Sequence, residues 1–309
     1  MVSKIKSLCA GIILGFVSFC TPVCASDFEL SQVTEGIYVH HGQHLDIDEG
    51  YQGDICNLGV IIGKDGIAVI DSGGSKHTGE QLLQAIRKVS PLPIRYVINT
   101  HVHPDHTYGN AAFQTEHPHY VGHEKLANTM LLRKEQYEKL NTRLLGEEGQ
   151  ASTTITPDMA VKQDITLELG GRSLLLQARS VAHTHTDLTV LDKQTDTLFA
   201  GDLLFAQRTP VVEGDIKGLI AVLESINQQK YALIVPGHGL ENKDQTVIIG
   251  NELRYLNTLL TDIRISIQKG ISMEKTMDSA ASGERDKWVL FDIANRRNVN
   301  VVYPQLEWE

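Results

Sequence analysis

Cysteine is nearly missing from this chain where it would count. Three of its four cysteines, Cys9, Cys20 and Cys24, fall within the first 25 residues, which leaves Cys56 alone after them. No internal disulfide can form beyond that segment. A closed structural metal site of several thiolates is excluded there too. Basic charge is also short: the net charge is -10 and the pI near 5.7, which argues against nucleic acid or an anionic membrane as partner. Internal repeats and low-complexity tracts are absent. Hydrophobic side chains make up 41% of the 309 residues, enough for a substantial core and against disorder.

The apolar run over residues 8–19 is short of the roughly 20 residues that span a bilayer. It follows Lys4 and Lys6 and precedes Pro22 and a small-residue "VCA", the pattern of a secretory signal peptide cut after Ala25. The competing readings are an uncleaved anchor and a lipid anchor at Cys20, the latter disfavoured by the bulky Phe19. The expected division is a signal peptide over 1–25, one α/β domain over 26–245 and a helical C-terminal extension over 246–309 packed on it. The mature protein would be periplasmic or secreted and away from the membrane.

Strands are expected at "GIYVHHG", at "ICNLGVIIG" and "GIAVIDSGG" around a turn, and at "IRYVINT", with a helix over 78–89 ending before Pro91. A long amphipathic helix over 124–145 leads into the polar loop "GEEGQASTTITPD", and "ITLELGGRSLLLQA" reads as a hairpin. Short strands "LTVLD", "TLFAG" and "ALIVPG" follow, with a helix over 216–228 before the last. The chain is mainly helical from Thr246. Two halves of strands and helices, divided near residues 146–154, imply one domain in α/β/β/α layers.

"THVHPDHTYGN" holds His101, His103, Asp105 and His106 within six positions, where a buried strand emerges into a loop. On an extended segment His101 and His103 point to the same side, and Pro104 bends the chain so that Asp105 and His106 can face the same space. Imidazole and carboxylate suit zinc. Distant candidates complete the pattern. His183 and His185 compete in "VAHTHTDLTVLD", Asp202 follows a buried strand in "FAGDLLF", and His238 lies between glycines in "VPGHG".

His101, His103, Asp105, His106, His183, Asp202 and His238, in this order and spacing, resemble the metallo-β-lactamase superfamily, over about Gly36 to Gly239. The resemblance implies a four-layer αββα sandwich and a dinuclear centre. His101, His103 and His183 would hold one ion, Asp105, His106 and His238 the other, and Asp202 with a hydroxide would bridge them. It favours His183 over His185, because an aspartate, Asp187, stands four positions later, and it gives Asp71 of "VIDSGG" a supporting role. Asp105 is the expected acid/base residue. The cofactors implied are two Zn2+, with iron left open.

Among branches, a dedicated β-lactamase is disfavoured because Asp202 stands where Cys or Ser is usual and no lysine follows closely. The glyoxalase II glycine-cysteine segment is replaced by "AQRTPVVEGD". The diiron flavoprotein branch has Glu where His103 stands. "GDICNLGVIIG", "THVHPDHTYGNAAF", "GDLLFAQRTPVVEGDIKG" and "NVNVVYPQLE" resemble the SoxH-like group, including the quinoprotein relay zinc metallohydrolases, which implies a periplasmic quinoprotein partner. The expected activity is hydrolysis of an ester-, thioester-, lactone- or lactam-like bond in a small molecule. The alternatives are a mononuclear iron enzyme like the persulfide dioxygenases and a non-catalytic zinc-binding accessory protein.

Smaller readings remain. Cys56 is expected as a buried small side chain. His40, His41 and His44 lie near a loop over 42–53, expected to be solvated rather than a cover for the site. Tyr108 is expected to pack, and Arg208 to be exposed or salt-bridged rather than bound to a substrate anion. His117, His119 and His123 read as strand-edge and helix-start residues, and Trp288 and Phe291 as packing for the C-terminal helices.

Overall fold

The computed structural model describes residues 28–47 and 50–309. The expected signal peptide and its three cysteines lie outside the described residues. No described helix is long and apolar enough to cross a membrane.

Alternating and continuous apolar runs form two sheets. The first contains β1 (Ser31–Thr34), β2 (Ile37–His40), β3 (Leu58–Ile62), β4 (Ile67–Ile70), β5 (Ile94–Ile98), β6 (His119–His123) and β7 (Met159–Val161), in that spatial order. Its first four strands are antiparallel and the pairings from β4 to β7 are parallel. The second runs β12-β11-β10-β9-β8, from β8 (Asp164–Glu168), β9 (Ser173–Ala178), β10 (Leu188–Asp192), β11 (Thr197–Phe205) and β12 (Leu233–His238). Only β11 and β12 pair in parallel there.

The sheets meet through Ile61, Ile70, Ile98 and Val121 on one side and Leu174, Leu188, Val190 and Phe199 on the other, all buried. The outer face of the first sheet is covered by α1 (Lys76–Val89) through Leu82 and Ile86 and by a 3₁₀ segment, Tyr108–Glu116, through Phe113. Ser75 starts α1 by accepting a hydrogen bond from the Thr78 N–H, which satisfies one of the unpaired donors of its first turn. On the other side lie α5 (Ile216–Asn227), α6 (Gln245–Gln268) and α8 (Phe291–Leu306), sharing one core with β11. Layers run α/β/β/α as expected. The C-terminal helical region completes that core, with Tyr255, Trp288 and Phe291 in ring contact.

Three short helices complete the order: α2 (Pro104–Thr107), α4 (Glu147–Ala151) and α7 (Met273–Ser279), with the long α3 (Leu126–Leu145) between the first two. β7 was not among the expected strands, and two further details differ from the sequence reading. β1 precedes the first expected strand: it pairs only with β2 and has no buried residue, so it lacks a hydrophobic signature. α4 interrupts the expected polar loop; its Gly149 packs at 2.1 Å from the Asn141 carbonyl oxygen, measured to the position a Cβ would take, and only tertiary contact reveals that constraint.

Candidate metal centre

Strand ends of both sheets deliver the functional side chains to one place. β5 runs into His101 and His103, and Pro104 opens α2, putting Asp105 and His106 in its first turn. Proline at a helix start loses no needed N–H. The second half supplies His183 from the loop before β10, Asp202 within β11 and His238 at the end of β12. His185, its competitor, is exposed.

One cluster joins His101 Nε2, His103 Nδ1 and His183 Nε2 at 3.0 and 3.1 Å, with Asp202 Oδ2 at 3.8 Å from His101 and 3.5 Å from His183. A tetrahedral zinc would separate its nitrogen ligands by roughly 3.3 Å, so the four atoms frame a cation-sized space. Beside it, His106 Nε2 lies 3.2 Å from Asp202 Oδ1, and His238 Nε2 lies 3.2 Å from Asp202 Oδ2. Asp105 Oδ2 stands 3.5 and 3.6 Å from those two nitrogens. Asp202 alone belongs to both clusters.

The ring nitrogen away from each cluster has its own partner. His101 Nδ1 meets Thr100 Oγ1 at 3.0 Å, His183 Nδ1 the Val211 carbonyl at 2.7 Å, and His238 Nδ1 the Ile55 carbonyl at 2.7 Å. His106 Nδ1 meets Asp71 Oδ2 at 2.8 Å, and His103 Nε2 meets Glu213 Oε2 at 2.6 Å. Such partners fix the ring and its tautomer, as metal-ligating histidines require.

The donor set fits cations on two observations. His106 Nε2 and Asp202 Oδ1 are buried and, although 3.2 Å apart, form no hydrogen bond with each other or with any other described group, a costly state for polar atoms unless an ion takes them up. Electrostatics agree. Burial lowers the His101 and His183 imidazoles, favouring the neutral form a ligand needs. Burial also opposes charge on His106, yet Asp202, Asp105 and Asp71 outweigh it and draw positive charge onto the ring. Burial would likewise raise Asp202, but His238, His106 and His101 hold it well below the usual carboxylate range.

Asp71 does its work from a left-handed backbone at φ 58. Its carboxylate accepts from Thr100 N at 2.8 Å and Thr100 Oγ1 at 2.7 Å as well as facing His106. Asp187 does not touch the His183 ring; it accepts from the N–H and hydroxyl of Thr184 and braces the loop. Glu213 was not singled out from sequence. It also binds Arg133 Nη2 at 2.6 Å, which ties α3 to a candidate ligand. Asn57, equally unflagged, donates to the Pro236 and Gly239 carbonyls and holds the His238 turn.

Cys56 is buried and its thiol donates to the Asp105 carbonyl at 2.9 Å, so it lies directly under the site. Burial, then Asp105, pushes that thiol well above its usual range. Tyr108 packs as expected, its hydroxyl 3.3 Å from Thr154 Oγ1. His40 pairs with Asp54 and His41 with Glu241, while the loop that follows them sends Ile47 and Tyr51 into the cavity over the site. Arg208 departs from expectation: it is 8% exposed and makes no ion pair among the described residues.

An αββα sandwich with a histidine and aspartate cluster at its converging strand ends defines a metal-binding protein of hydrolase-like fold. Residues 51–238 match the model of the metallo-beta-lactamase superfamily, and the chain belongs to that superfamily. A metallo-beta-lactamase from Pontibacter korlensis is similar at TM-score 0.60 and 23% identity, covering 74% of this chain and 98% of that one. The inverting sec-alkylsulfatase Pisa1 from Pseudomonas sp. is similar at TM-score 0.69 and 17% identity over 90% of this chain and 50% of that one. A linear primary-alkylsulfatase from Pseudomonas sp. (strain ATCC 19151) is 37% identical over 57 residues, 18% of this chain and only 11% of that enzyme's length.

Proposed function

We propose that this chain is an exported dinuclear zinc hydrolase acting on an ester-, thioester-, lactone- or lactam-like bond of a small molecule. The observation that carries the reading is Asp202: one carboxylate within 3.2 Å of both His106 and His238 and facing His101 and His183 as well. His101, His103 and His183 would hold one zinc, and Asp105, His106 and His238 the other, with Asp202 shared. Bound zinc ions would supply Lewis-acid polarisation and lower the pKa of water toward neutrality.

The chain's own residues do the rest. Asp105, kept ionised against burial by His106 and His238, orients a water and takes its proton. Ile47, Tyr51 and Leu144 line a cavity of about 230 Å³ beside Asp105 and give it an apolar wall. The likeness of several stretches to the SoxH-like group supports a periplasmic setting and a quinoprotein partner. The short stretch shared with an alkylsulfatase makes sulfate esters the second substrate class to try.

Purified protein should contain two zinc ions per chain and hydrolyse at least one ester, thioester, lactone, β-lactam or alkyl sulfate, losing activity on chelation. Asp105→Asn should lower kcat by about 100-fold or more, the range for a positioned acid/base group. One iron per chain with oxygen uptake would favour the dioxygenase reading. Two tightly held zinc ions without any turnover would favour the accessory protein.

A further inference from the structure

Four buried side-chain atoms among the described residues have no hydrogen-bond partner: His106 Nε2, Asp202 Oδ1, Glu252 Oε1 and Arg208 Nη1. The first two face the metal centre. Glu252 can shed its charge by holding a proton, and burial pushes its carboxyl well upward. Arg208 Nη1 belongs to a guanidinium, which carries five donors and no acceptor. Its residue is more than nine-tenths buried, its Nη1 has no hydrogen-bond partner, and its side chain forms no ion pair among the described residues.

Its position says what is missing. Arg208 follows β11 by three residues and lines the same cavity as Asp105, His183, Asp202 and His238. The other guanidinium of that cavity, Arg297, is engaged by Asp46 at 2.8 and 3.1 Å. The carboxylates at the floor are turned toward the histidines. A buried charge without a partner is costly, so a cation beside the candidate reaction site, answered by no anion among the described residues, is a receptor for one from outside.

We infer that Arg208 binds an oxyanion carried by the substrate, a carboxylate or a sulfate, and that the substrate is an anionic small molecule with an apolar remainder. This rests on the hydrolase reading above. The planar fork of the guanidinium suits two oxygens of such a group. The apolar part lies against Ile47, Tyr51, Leu140 and Leu144, which line the same cavity.

The zinc-loaded full protein tests this in two independent ways. In kinetics, kcat/KM is compared for a 4-nitrophenyl ester bearing a terminal carboxylate and for its neutral methyl-capped counterpart. Arg208→Gln should reduce the anionic-to-neutral ratio about 30-fold or more, as loss of one partner of a buried charged pair does. Arg208→Lys, which keeps the charge without the fork, should retain part of it. In thermal melting, butyrate and inorganic sulfate, each against chloride at equal ionic strength, should stabilise the wild type more than Arg208→Gln, and the larger Arg208-dependent shift names the oxyanion. Without added anion, Arg208→Gln should melt no lower than the wild type, since it removes an uncompensated charge.

A variant that melts lower, regains stability as Arg208→Lys and shows an unchanged substrate ratio would assign Arg208 to the scaffold and overturn the subsite. An Arg208-dependent anion shift in a protein that hydrolyses nothing would leave the subsite standing and remove the hydrolase reading. Hydrolysis with the same ratio in wild type and Arg208→Gln, and equal anion shifts, would do the reverse.

Discussion

At Gly237 the site depends on the lack of a side chain. A Cβ there would stand 1.9 Å from Asp202 Oδ1, the orphaned oxygen between the two clusters. Gly237→Ala must displace the shared carboxylate. It is expected to cut metal affinity by about 10- to 100-fold, the scale for disturbed ligand support, and metal analysis after dialysis should find fewer than the wild-type number of ions per chain. Gly237 was legible only as one of the small residues flanking His238. The histidines and aspartates stood out in the sequence because ligand chemistry admits few residue types and they lie beside short apolar strand patterns; Asp202, expected just after a strand, sits within β11. Glu213 and Asn57 did not, because a glutamate or asparagine in a loop carries no mark of the ring or carbonyl it will meet. Arg208 was misread for the same reason: a charged residue in a polar stretch ordinarily meets water.

Elements divide in the same way. β11 is buried along all nine residues, because sheets and helices cover both faces, and such continuous apolar runs read plainly. The short 3₁₀ segment Ser282–Lys287 has no periodicity, yet its Glu284 organises the C-terminal region. That carboxylate accepts from Arg254, Lys287 and the Trp288 indole. Burial alone would raise its pKa, but these bonds outweigh it and bring it down to about 2 from an ordinary 4.5. A depressed carboxylate stabilises the fold fully above its unfolded value, and the contribution fades as pH falls toward the folded one. Glu284→Gln should lose about 1–2 kcal/mol at pH 7, the lower part of the range for charged hydrogen bonds because Arg254 is solvent-screened. In urea melts the gap from wild type should be constant above about pH 6 and narrow below about pH 4.5. A gap that widens on acidification would contradict this.

The whole molecule is two half-sandwiches that meet twice, once through the apolar layer between the sheets and once at the metal centre. Their first meeting could be read from sequence, since each half carried strands with apolar faces in need of cover. Their relative placement could not, because it depends on contacts such as that of Asn57 in the first half with Gly239 in the second. His101, His103, Asp105 and His106 come from one half, and His183, Asp202 and His238 from the other. Bound ions would therefore link the halves and, by mass action, stabilise only the folded chain. An ion at 1,000 times its dissociation constant contributes about 4 kcal/mol, and a chain of this size shifts by roughly 2–4 °C per kcal/mol. Chelation should lower the melting temperature by about 8 °C or more, and added Zn2+ should restore it. The apolar layer between the sheets contains no candidate ligand, so the chelated protein should keep its far-ultraviolet circular dichroism at 25 °C and lose stability in a single cooperative step. A separate early transition on chelation would mean that the halves are joined chiefly through the ions, against the shared core of Ile98, Val121, Leu188 and Phe199.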